Sequence, residues 1–107
     1  MNSPNEQAVL VYLDGKDLPK EVYEKYDLAT LEDQLIEAIE SQSLGEFDGN
    51  EIGPDEAALF MYAPNAEILF KGIEPILLAH PLCQNARVIV RYSGPGSQAR
   101  EITLPKS

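Results

Sequence analysis

The chain has one cysteine, one histidine and no tryptophan among its 107 residues, and only eight lysines and arginines against 18 aspartates and glutamates. Each shortage removes a class of function. One thiol, Cys83, makes no internal bridge, so the fold is not a disulfide scaffold. Cys83 and His80 together supply half of the four ligands that a structural zinc site needs, and the chain has no other Cys or His. The deficit of base leaves a formal net charge of −10. Nucleic-acid binding rests on neutralising phosphates, and an anionic bilayer repels the same field, so neither is expected as a partner. No apolar run approaches the roughly 20 residues of a membrane helix. Met1-Asn2-Ser3-Pro4-Asn5-Glu6 lacks the basic-then-apolar pattern of a secretory signal, and the expectation is a cytoplasmic protein with residues 1–6 frayed.

What is present reads as one domain, residues 1–107, able to bury a core without metal or disulfide. Ala8 to Leu13 is a short apolar run stopped by Asp14-Gly15, a strand ending in a turn. It lacks polar alternation, which predicts a central strand covered on both faces. In residues 14–26, an insertion, Pro19 either opens a short helix or sits in loop. Leu28, Leu31, Leu35 and Ile39 recur at helical spacing behind a cap at Asp27 or Thr30. Residues 44–50 read as an edge strand, with turn signals at Asp48-Gly49 and Gly53-Pro54. Ala57 to Tyr62 is a second apolar, central strand. A helix follows through Ala66, Leu69, Ile73 and Leu77, with Pro75 predicted to kink or restart it and His80-Pro81 to end it. Residues 86–92 alternate, as an edge strand covered on one side. Ser93 to Gly96 is a turn, and residues 101–104 are a possible extra edge strand.

The order strand, helix, strand, strand, helix, strand, with matching runs at 8–12 and 58–62, predicts an α+β, ferredoxin-like two-layer sandwich. It has a four-stranded antiparallel sheet and two helices on one face. Three segments resemble a group of small, uncharacterised bacterial α+β proteins: Gly45 to Gly53, Leu59 to Ala66 and Arg91 to Gly96. The likeness spans residues 28–104. The chain is more remotely similar to the ferredoxin-like domain of the regulators of ribonuclease activity. That resemblance implies protein binding without chemistry, and it supplies no catalytic or cofactor residue.

Several groups qualify as candidate sites. Asp48, Asn50, Glu51, Asp55 and Glu56 place five oxygen-bearing side chains in nine residues, which reads first as a solvated hairpin keeping an edge strand soluble, then as a protein-binding loop, and last as a hard-cation site. A helix-loop-helix calcium loop is excluded, because its fifth and twelfth positions fall on Ile52 and Leu59. Asp48 and Glu51 also qualify as an acid/base pair only if one is desolvated, which a polar turn does not do. His80-Pro81-Leu82-Cys83 has no orienting third group for nucleophilic work and reads as a helix-terminal His with a packed thiol. Ser93 to Ser97 opens no helix and so is no phosphate cradle.

Arg87 and Arg91, with Ile89 between, share an open sheet face with Leu10, Tyr12, Phe60 and Tyr62 or their alternates. Aromatics beside arginines suit protein interfaces or RNA, and the charge decides against RNA. A bare exposed face with ion pairs to Glu46 or Asp48 is the plainer alternative. The leading expectation is therefore a non-catalytic acidic binding or regulatory module without cofactor. It would act on a basic protein surface or on a second copy of itself. A cation or small-ligand site at the 48–56 turn is the alternative.

Overall fold

The structure, a computed structural model, describes residues 7–93 and 98–105. The expectations for residues 1–6 and for the turn at 94–96 fall outside these residues. The elements run in the order β1 (Gln7–Asp14), α1 (Lys20–Lys25), α2 (Leu28–Ser41), β2 (Glu46–Ile52), β3 (Glu56–Ala63), α3 (Ala66–Ala79), β4 (Arg87–Arg91) and β5 (Ala99–Thr103). A 3₁₀ turn at Pro81–Cys83 joins α3 to β4. The strands form one five-stranded sheet in the order β2-β3-β1-β4-β5, every pair antiparallel.

Local chemistry sets the helix ends. Asp27, extended at the N-cap of α2, accepts the Thr30 amide at 2.9 Å; Asn65 does the same for Ile68 at the head of α3. Asp27, not Thr30, is therefore the cap of α2. The Leu31, Leu35 and Ile39 stripe of α2 and the Leu69, Phe70, Ile73 and Leu77 stripe of α3 are buried. Both helices pack on one side of the sheet, α2 over β2 and α3 over β1, β3 and β4. They meet Val9, Val11, Leu13, Leu59, Met61, Val88 and Val90 in one core cluster.

Three expectations change. The sheet has five strands, and β5 lies outside β4, so residues 87–91 are interior to the sheet. Leu104 anchors this return: its amide bonds the Ala86 carbonyl at 2.8 Å, and its side chain is buried. Second, α3 runs unbroken through Pro75. Pro75 and Lys71 are both exposed, so water satisfies the carbonyl that the missing amide would have bonded. Third, the apolar run of β1 is central but covered on one face only. Val9, Val11 and Leu13 are buried, whereas Leu10 and Tyr12 remain partly exposed.

The 14–26 segment rims one end of the uncovered face with Lys16 and Asp17 and otherwise folds beside the helix layer. Tyr23 Oη accepts the Leu18 amide and donates to the Asp14 carbonyl, closing the loop on itself. Leu18 is buried, and α1 lies against the Pro81–Cys83 turn.

Candidate functional site

Alternation along β1, β3 and β4 sorts side chains between two faces. Arg100 of β5, bound to Glu67 of α3 at 2.7 Å, marks the helix side. The residues registered between those positions point the other way. Reading across the register gives Leu10, Tyr12, Phe60, Tyr62, Ile89, Arg87 and Arg91 on one surface. None of its apolar members packs against the core cluster, and none is fully buried. The structure thus brings together all five residues expected to form the binding face: Tyr12, Phe60, Tyr62, Arg87 and Arg91.

One end of this face is hollowed. A shallow concavity of about 430 Å³ is lined by Tyr12, Phe60, Ala58 and the 53–56 turn. A second of about 510 Å³ adjoins it across Tyr12, Glu56 and Arg87. The Arg87 guanidinium lies over the Tyr12 ring, 5.0 Å from its centroid, and reaches Glu56 at 3.2 Å. Stacking and pairing together hold Arg87 flat on the sheet. The ion pair expected with Glu46 or Asp48 goes to Glu56 instead, because Glu56 stands beside the level of Tyr12 on β3. Arg91 donates its Nε to the Ser93 carbonyl at 3.0 Å.

The acidic 48–56 segment is mostly strand. Residues 46–52 pair along β3, with a bulge between Phe47 and Gly49 where the sequence suggested a turn. The reversal itself is confined to residues 53–55, closed by Gly53 amide to Glu56 carbonyl at 2.8 Å. Strand alternation then divides the oxygens: Glu51, Asp55 and Glu56 line the first concavity, and Asn50 leaves the group. Asn50 turns to the helix side and donates to Glu32 of α2, while Glu51, level with Ala58 and Tyr12, faces the open side. Asp55 holds the β1 terminus through its carbonyl, which accepts from Gly15 at 3.0 Å. Among the described residues no three His, Cys, Asp or Glu side chains are grouped to hold a metal ion.

His80 and Cys83 are structural. His80, 8% exposed, uses Nδ1 to accept the Leu82 amide at 3.2 Å, and its ring meets Tyr26 edge-on at 5.6 Å. Burial holds its pKa below the usual histidine value, and Asp27 only partly offsets this. Cys83 is buried, and loss of solvent pushes its thiol up to about 12. A thiol so protonated is no nucleophile.

Sequence reasoning missed the group at the head of α3. Tyr92 Oη and the Arg100 guanidinium both donate to the Glu67 carboxylate, and Arg100 also covers the Phe70 ring at 5.7 Å. The hydrogen bonds from Arg100 and then Tyr92 hold the Glu67 carboxyl below the usual range. Only the existence of β5 brings Arg100 to α3, and that strand is short. The arrangement clamps β5 to the helix layer.

No helix among the described residues is long and apolar enough to cross a membrane. No family model, curated protein or solved structure matches this chain.

Proposed function

We propose that this chain is a non-catalytic binding module whose working surface is the sheet face opposite the helices. Its frame is a ferredoxin-like sandwich, β2-β3-β1-β4 with α2 and α3, extended by β5. One observation carries the reading: the two central strands leave Leu10, Tyr12, Phe60 and Tyr62 partly uncovered beside Arg87 and Arg91. Contiguous apolar surface rimmed by charge marks interaction sites, and Tyr and Arg are the residues that interfaces enrich. The titratable groups with perturbed pKa values are accounted for by packing and capping, which favours binding over chemistry. A net charge of −10 speeds encounter with a basic protein surface, while acids on β2 and arginines on β4 also suit a second copy of the chain, and a single, unbridged cysteine suits a reducing, cytoplasmic setting.

The test is affinity capture from the native extract, with the wild-type chain and a Phe60→Asp/Ile89→Asp variant as baits. The reading expects a stoichiometric protein retained by the first and lost by the second, with both baits folded by circular dichroism. Identical capture by both baits would move the interface to another surface.

A further inference from the structure

We infer that the occupant of the open face is a second copy of this chain, related by a two-fold axis that runs parallel to the strands between β3 and β1. This rests on the reading of that face as a binding surface and specifies its partner.

The observation is the order of side chains across the sheet. Three rows cross the face from β2 to β4. The first is Glu46, Tyr62, Ala8, Arg91; the second is Gly49, Phe60, Leu10, Ile89; the third is Glu51, Ala58, Tyr12, Arg87. Acids stand on the β2 side of the first and third rows, and arginines on the β4 side of the same rows. Within those rows a tyrosine always neighbours an alanine, and the order of the two reverses between them.

A two-fold axis along the strands exchanges β3 with β1 and β2 with β4 while keeping each row level with itself. Glu46 then meets Arg91 of the second copy, and Glu51 meets its Arg87. Tyr62 falls on the opposing Ala8, and Tyr12 on the opposing Ala58, so each ring stands over a small, buried residue rather than over another ring. Phe60 falls on Leu10, and Gly49 leaves room for Ile89. The other two-fold axis available to stacked sheets, across the strands, would set Glu46 on Glu51 and Arg91 on Arg87. Charge therefore selects the first. An isologous contact of this kind is closed and self-complementary. Aligned sheets cross at about −30°, and the long Glu and Arg side chains at the rim absorb that offset.

Two features set the strength. Beyond the third row, Glu56 would oppose Asp14, each already engaged within its own chain by Arg87 and Asn85, so the contact ends there. The patch measures about 17 Å by 19 Å from strand spacings, roughly 320 Å² of footprint per copy against the roughly 800 Å² of a standard interface, so a weak, transient dimer with a dissociation constant well above micromolar is expected. The net charge of −10 repels at long range, but at physiological salt the Debye length of about 8 Å confines that repulsion.

Within one chain Glu46 and Arg91 stand three strands apart, about 14 Å, and cannot pair. This makes the test specific. Sedimentation equilibrium is run at physiological salt over a thousandfold concentration range on four samples. These are wild type, Glu46→Arg, Arg91→Glu, and an equimolar mixture of the two variants. Wild type should show a monomer–dimer equilibrium. Each variant alone should dimerise about tenfold more weakly or worse, since two like-charge contacts replace two ion pairs. The mixture should recover wild-type association, because both pairs re-form across a heterodimer. Circular dichroism of each variant controls for folding, and recovery in the mixture itself excludes misfolding.

A strictly monomeric wild type, or a mixture no more associated than its components, would overturn this proposal. Neither result touches the binding reading, which stands or falls on whether Phe60→Asp/Ile89→Asp abolishes capture of any protein on this face, a second copy of the chain included.

Discussion

Adjacent residues on β3 offer a direct measure of how one-sided the sandwich is. Leu59 is fully buried against the helices, and Phe60 beside it points to the open face. Leu59→Ala deletes a side chain from the core cluster and leaves a cavity that the two helices cannot close, a change that costs about 2–5 kcal/mol. Phe60→Ala removes a larger ring. Were that ring packed on all sides, the cost would be about 3–5 kcal/mol. Because the ring is covered only by its neighbours in the sheet, its area term alone applies in part, about 1 kcal/mol. The inversion, with the smaller deletion costing more, is measured by urea unfolding of both variants at low protein concentration, where any dimer is dissociated. Equal slopes with midpoints in the stated order support the account. A Phe60→Ala loss of 3 kcal/mol or more in dilute monomer would mean that the face is covered within the chain, and the reasoning would fail.

Other consequences follow from single residues. A Cβ at Gly45, whose φ is +152°, would collide with the Tyr62 carbonyl oxygen. Gly45→Ala should therefore cost at least about 1–3 kcal/mol and lower the melting temperature; an unchanged melt would contradict the backbone at the β2 entry. His80 has a folded pKa held below 6.5 by burial, so the unfolded chain takes the proton first. Its contribution is intact above about pH 6.5 and fades as pH falls through the folded value, and His80→Asn should flatten stability between pH 7 and 5. If the slope there is the same in both proteins, His80 is not the group responsible. Cys83 should react with a disulfide reagent only as fast as the chain opens; immediate reaction in the native state would place the thiol at the surface.

The sequence made the two helices, the β1 and β3 runs and the membership of the open face readable, because periodicity of 3.6 or 2 is a local signal. Leu31-Leu35-Ile39 on α2 and Arg87-Ile89-Arg91 on β4 are cases in point. What escaped was decided by contacts between distant segments. Ala99–Thr103 carries a single large apolar residue, Ile102, and becomes a full strand because β4 offers an edge and Glu67, which also accepts from Tyr92, holds Arg100. That capture turned a predicted edge strand into an interior one. Asp48-Gly49 has turn chemistry but sits against β3, where the ladder converts it into a bulge and throws Asn50 and Glu51 to opposite sides. The sequence cluster is thus divided in space, with Glu51, Asp55 and Glu56 on the concavity and Asn50 on the helix side. Pro75 was misjudged because its solvent exposure, which makes the lost hydrogen bond cheap, depends on where α3 lies on the sheet.

Hydroxyl-radical footprinting of the tyrosines addresses the central claim most directly. In dilute solution Tyr12 and Tyr62 should label readily, while Tyr23, whose hydroxyl is bonded at both ends, should lag. At native abundance in its own extract the first two should become protected and Tyr23 should not change. Tyr12 and Tyr62 labelling equally in both conditions would mean that nothing docks on the bare side of the sheet.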